Sequence, residues 1–332
     1  MEINHLKNND AYFHQFLHSI RNNKGVLILG TSESTSLDGI NYWAWLNADP
    51  DLTTQFSTFS GAGRFAEVYF PLIASSPEAW RGLEVLVFVN PTYWRLGLSR
   101  RNTKSNKTYL NRYLSPEVVV GAQLQLEALQ LYAPFFEAEF GGHPILRTKY
   151  ALDQWVDQEW RSMFYRQLRS QWRTPKWDYS NLTSDKSLIE RGDATFLDSL
   201  KQLIDPEFNC SPAYVALTQG APKMPALDTV STFRMQALEG MIQLSREYGI
   251  QTTFLLGPYN GTLAKAGGSP ELQRDYEHLM QELRTLFESH QQPYIDLGHL
   301  SHENHTFRDV QHHSHYGGYR IYQEIKRYYE NR

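Results

Sequence analysis

Four short, almost continuously apolar runs punctuate the chain: residues 25–29 (GVLIL), 84–89 (EVLVFV), 252–256 (TTFLL) and 294–297 (YIDL). Runs without polar alternation predict strands covered on both faces, as in a parallel sheet enclosed by helices. Between and beyond them, residues 117–132, 151–172, 232–248, 270–289 and 318–329 predict helices. Strand followed by helix, repeatedly, predicts an α/β fold: a three-layer α/β/α sandwich around a central, mostly parallel sheet.

Residues 99–230 break this rhythm. They are rich in Trp, Tyr, Arg and Lys and carry no clear strand, which predicts a helical insertion or cap over the sheet rather than a second domain. The strongest breaker signals lie in 172–187 (WRTPKWDYSNLTSDKS) and 205–226. Neither reads as an interdomain linker, so residues 1–332 are expected to form one α/β domain.

Composition narrows the function classes. The 32 basic and 36 acidic residues leave a net charge of −4 without long runs of one sign, which argues against nucleic acid as a partner. With 41% hydrophobic and 14% aromatic residues a sizeable core is available. Cys210 is the sole cysteine, so no intrachain disulfide forms and no cysteine-based metal cluster is expected. No window reaches the roughly 20 apolar residues that span a bilayer, and the start, MEINHLKNND, lacks the layout of a signal peptide.

Candidate chemistry sits past the predicted strand ends, where α/β sheets place their sites. The first strand runs into Gly30-Thr31-Ser32-Glu33-Ser34. A serine at a strand-to-helix junction suits a nucleophile whose reaction builds an oxyanion near backbone amides, and it equally suits a helix cap. After the last strand comes Asp309-Val310-Gln311-His312, then His313 and the Gly317-Gly318 pair. An Asp three residues before a His on a turn can orient the imidazole as a general base, although His313 stands in an adjacent register. Five histidines between His302 and His315 raise a metal site as an alternative; no HExxH helix accompanies them, and neither a metal nor another cofactor is expected. Pro258-Tyr259-Asn260-Gly261 reads first as a tight turn.

The order of these segments resembles the SGNH hydrolases, and more narrowly the D-alanine transfer (DltD-like) family of teichoic acid D-alanylation. Residues 30–34 (GTSES) are similar to that family's GSSE box, with Thr31 where most SGNH proteins carry Asp. Residues 85–94 resemble its strand-Ser-Pro-Gln-Trp segment, 255–261 (LLGPYNG) its Pro-x-Asn-Gly turn, and the 312–325 stretch its His-x-x-x-x-Gly-Trp ending.

The resemblance implies an SGNH or flavodoxin-like sheet, with Ser32 as nucleophile, His312 as base and Asp309 as orienting carboxylate. It implies an oxyanion hole from the Ser32 amide, Gly63 and Asn90, with Asn260, Trp94 and His313 as substrate contacts. The implied partners are an acyl donor (a D-alanyl ester or carrier-protein thioester), a cell-envelope polymer acceptor and a membrane acyltransferase. The implied location is the extracytoplasmic face of the membrane or the periplasm, although no anchor is present in this chain. Two other functions fit the same residues: a polysaccharide O-acetyl esterase or acetyltransferase, and a non-catalytic carrier-protein docking factor.

Overall fold

The computed structural model describes residues 11–34, 42–60, 65–74, 77–92, 94, 152, 198, 232–267, 270–308 and 310–332. The expected insertion at 99–230 and the helices expected at 117–132 and 151–172 lie outside the described residues but for Leu152 and Asp198.

The first half of the sheet combines α1 (Ala11–Asn22), β1 (Val26–Leu29), α2 (Tyr42–Ala48), β2 (Phe56–Thr58), α3 (Ala66–Ala74), α4 (Pro77–Trp80) and β3 (Glu84–Val89). The second half follows with α5 (Thr232–Glu247), β4 (Gln251–Leu256), α6 (Gly261–Gly267), α7 (Pro270–Ser289), β5 (Tyr294–Asp296) and α8 (His315–Glu330). The five strands are parallel throughout, in the order β2-β1-β3-β4-β5. Chain order reverses on the two sides of β1, so β1 and β3 flank the topological switch point, the place where open α/β sheets leave a crevice beyond their carboxyl ends.

The apolar runs work as both-face strands. Leu27 and Leu29 of β1, Val85, Val87 and Val89 of β3, and Phe254 and Leu256 of β4 join one core with residues of α1, α3, α5 and α7. Val26 and Ile28, Leu86 and Phe88, and Leu255 face the opposite core, built with α2 and α8. Alternation of side chains along each strand therefore feeds two cores, each supplying about 1.5–3 kcal/mol per large apolar side chain removed from water. The expected α/β fold is present as a five-stranded, all-parallel sheet layered with helices.

β2 was not expected. Its three residues, Phe-Ser-Thr, hold one buried apolar side chain, and a short edge strand leaves little hydrophobic signature. Its outer edge is bound by a side chain: Asn47 Nδ2 donates to the Phe56 carbonyl at 2.8 Å, and the Phe56 amide donates to Asn47 Oδ1 at 2.9 Å. Between the two halves, Asp49 after α2 accepts from Tyr322 of α8 and lies 2.8 Å from Lys326.

Among the described residues no helix is long and apolar enough to cross a membrane.

Candidate active site

Ser32 opens a short 3₁₀ turn, Ser32–Ser34, just beyond the carboxyl end of β1; residues 35–41 lie outside the described residues. The turn is tight because Gly30 has no side chain: a Cβ there would stand 2.5 Å from Ser34 Oγ. Hydroxyls fix it from several sides. Tyr69 of α3 donates its phenol to the Gly30 carbonyl at 2.5 Å. Ser34 Oγ is 2.6 Å from the Tyr42 phenol, and Thr58 Oγ1 donates to the Ser34 carbonyl at 3.2 Å. Burial pushes the Tyr42 phenol well above its ordinary pKa, so it stays a neutral partner. Thr31 and Glu33 are buried, which leaves Ser32 as the partly exposed residue of the three.

The opposite half is a loop closed on itself. Phe307 and His313 form an antiparallel bridge, the Arg308 amide donates to the His312 carbonyl at 3.0 Å, and the Ser314 amide donates to the Thr306 carbonyl at 3.0 Å. Ser314 then caps α8, its hydroxyl accepting from the Gly317 amide at 2.9 Å and donating to the His305 carbonyl. Gly317 packs so closely that a Cβ would overlap the Thr306 carbonyl oxygen. Neighbouring residues of an extended segment face opposite ways, so His312 and His313 diverge. His313 is 1% exposed and lies edge-on to Phe88, with Phe307 on another side.

His312 turns toward the sheet end instead, with Nε2 2.9 Å from Ser32 Oγ across 280 sequence positions. That is the distance a base needs to take a hydroxyl proton. Gln311 adds a contact that the spacing of motifs did not suggest. Its Nε2 is 3.2 Å from Ser32 Oγ and 3.2 Å from His312 Nε2. The one sequence cue was adjacency, since Gln311 immediately precedes His312.

The other expected site residues fall as follows. Asn90, directly after β3, is buried; its Nδ2 donates to Glu33 Oε1 and its Oδ1 accepts from the Thr92 amide at 2.8 Å. Its amide thus holds the carboxylate next to Ser32, which needs such a bond to be buried at all. Asn260 is fully buried and caps α6, with Oδ1 accepting from the Leu263 amide at 3.0 Å, so the expected tight turn is a helix start instead. The neighbouring Tyr259 stacks on Tyr276 at 4.9 Å and approaches His302 Nε2 at 3.3 Å; burial pushes its phenol up to about 12. Trp94 is buried and its carbonyl accepts from Arg234 at 2.7 Å. Arg234 in turn pairs with Glu67 of α3 at 2.7 Å, below the solvent surface. Asp309 and Gly63 lie outside the described residues.

Among the described residues no group of three or more His, Cys, Asp or Glu side chains is arranged to hold a metal ion. No protein-family profile matches the sequence, and no curated protein matches it.

Proposed function

We propose that the chain is a serine acyl hydrolase or acyltransferase that forms an acyl-Ser32 intermediate, with His312 as general base and Asp309 as its orienting carboxylate. The observation that carries this reading is the 2.9 Å contact between Ser32 Oγ and His312 Nε2, made by two partly exposed residues beyond the β1 end.

In the first step Ser32 Oγ bonds to the acyl carbonyl carbon, its proton passes to His312 Nε2, and the carbonyl electron pair moves onto oxygen. Collapse of that intermediate breaks the bond to the leaving group, which takes the proton from His312. Water or an acceptor hydroxyl then repeats the sequence on the acyl-serine.

For the acyl group and acceptor, support comes from the four segments that resemble boxes of D-alanine transfer proteins. On that basis the acyl group is D-alanyl, the acceptor a cell-envelope polymer such as teichoic acid, and the site of action the extracytoplasmic side of the membrane, with a membrane acyltransferase as partner. A second reading, a docking factor without turnover, draws on one observation: Asn90, the expected side-chain donor of the oxyanion hole, is bound to Glu33.

Labelling with a fluorophosphonate, together with p-nitrophenyl acetate turnover, separates the two readings. The enzyme reading expects the probe on Ser32, with Ser32→Ala and His312→Ala both unlabelled and inactive. A well-folded native chain that neither labels nor turns over ester supports the docking factor instead. Release of D-alanine against acetate from wall material then identifies the acyl group.

A further inference from the structure

We infer that Gln311 is a further catalytic residue: its side-chain amide is the donor that stabilises the oxyanion formed beside Ser32, the role expected of Asn90. This inference rests on the reading of Ser32 as the nucleophile that accepts the acyl group. Two side-chain amides stand at the sheet end, and they are engaged differently. Asn90 is bound at both ends of its carboxamide, to Glu33 and to the Thr92 amide, and is 2% exposed. Gln311 is partly exposed and reaches the nucleophile, 3.2 Å from Ser32 Oγ.

The chemistry of the contact changes during reaction in a useful direction. For Ser32 to be activated, its hydroxyl donates to His312 Nε2 at 2.9 Å, while Gln311 Nε2 lies 3.2 Å from both Ser32 Oγ and His312 Nε2. When Oγ bonds to the carbonyl carbon and Nε2 receives the proton, the imidazole nitrogen no longer accepts a hydrogen bond. At the same moment a full negative charge forms on the former carbonyl oxygen, attached to the carbon that Oγ has just joined. The amide hydrogens of Gln311 then have a better acceptor within reach than the neutral Ser32 hydroxyl or the His312 nitrogen. Distances of 3.2 Å are long for the ground state, and a donor that tightens only on the developing charge lowers the barrier rather than merely binding substrate. A carboxamide does not titrate, so its contribution leaves the pH profile of the His312 step in place.

The test uses the full chain with Gln311→Ala and Gln311→Glu, each confirmed as folded by circular dichroism. p-Nitrophenyl acetate kinetics across pH are read alongside affinity for phenylboronic acid, which forms a tetrahedral adduct on a nucleophilic serine. The expected result is a kcat about 10²-fold lower in both variants, the size of effect seen when one oxyanion donor is lost. KM should stay where it is in both variants, and boronate affinity should fall in parallel with kcat; the pH midpoint, read in Gln311→Ala alone because a Glu carboxylate beside His312 moves it by its own charge, should also stay. Retention of kcat and boronate affinity within about threefold in both variants overturns the assignment. So does a rise in KM alone, which marks uniform substrate binding, or a pH midpoint moved in Gln311→Ala, which marks an effect exerted through His312. A native chain whose Ser32 fails to label sinks the nucleophile reading and this one together. A labelled, active native chain with unaffected Gln311 variants sinks this one alone.

Discussion

The Ser32 half and the His312 half of the candidate site are built by opposite means. Ser32 follows a buried strand, and its turn is pinned by side-chain hydroxyls from α3, α2 and β2: Tyr69, Tyr42 and Thr58. His312 rides on a loop that is pinned by its own backbone, through the Arg308, Thr306 and Ser314 contacts and the cap of α8. Even the glycines differ. The neighbour that excludes a Cβ at Gly30 is a side chain, Ser34, whereas at Gly317 it is the main chain of Thr306. A site half held by side chains can be repaired by a second substitution, and one held by backbone cannot.

The largest effect tests which histidine belongs to the reactive half. His312→Ala should cost at least about 10³-fold in fluorophosphonate labelling rate while unfolding near the native denaturant midpoint. His313→Ala, which empties a space between Phe88 and Phe307, should do the reverse: lose about 3 kcal/mol in urea unfolding and still label Ser32. An exchange of those two phenotypes would invert the assignment of the base.

Next come the glycines. Gly317→Ala should destabilise by about 3 kcal/mol in the same urea assay, with no rescue from any side-chain change nearby. Gly30→Ala should cost about 1–3 kcal/mol, and adding Ser34→Gly should recover part of it, giving a measurable coupling energy in a double-mutant cycle. Additivity at Gly30 would erase the contrast drawn between the two halves.

Smaller losses, about 1 kcal/mol each, are expected for Tyr69→Phe on the nucleophile side and Ser314→Ala on the base side. Since each removes a hydroxyl that contacts two backbone groups, the labelling rate should respond more to the one that moves its reactive side chain further.

The smallest effect concerns the tie between α2 and α8. Burial pushes the Asp49 carboxyl up, but hydrogen bonds from Lys326 and Tyr322 outweigh it and hold the group below its ordinary 3.8. A depressed carboxylate contributes stability that is fully present above the unfolded value and is lost as pH falls through the folded one. Thermal scans below about pH 4 should therefore show a shallower acid loss in Asp49→Asn than in the native chain, by up to about 1 kcal/mol.

Much of the sheet was legible because burial on both faces writes an uninterrupted apolar run. Residues 84–89 and 270–289 coincide with β3 and α7. The last helix begins at His315, ahead of the expected Gly318, because the Ser314 cap outweighs the poor helix propensity of Gly317 and Gly318. Helices α1, α2, α3, α4 and α6 were not foreseen. α2 and α3 are buried nearly all round, so neither shows a clear apolar stripe against a polar one. At the site, Ser32 could be placed by its order after a strand, but the choice between His312 and His313 depended on which one the Phe307 bridge turns inward. The pairing of Asn90 with Glu33 spans 57 positions, and no local pattern announces it.

The carboxamide of Asn47 has a consequence for the protein in company. By giving Phe56 both a donor and an acceptor, it acts as a one-residue surrogate strand along the side of β2 away from β1. An incoming chain seeking to add itself to the sheet at Phe56 meets a backbone already spoken for. Association by strand addition is discouraged there, at the cost of one polar side chain at the end of α2.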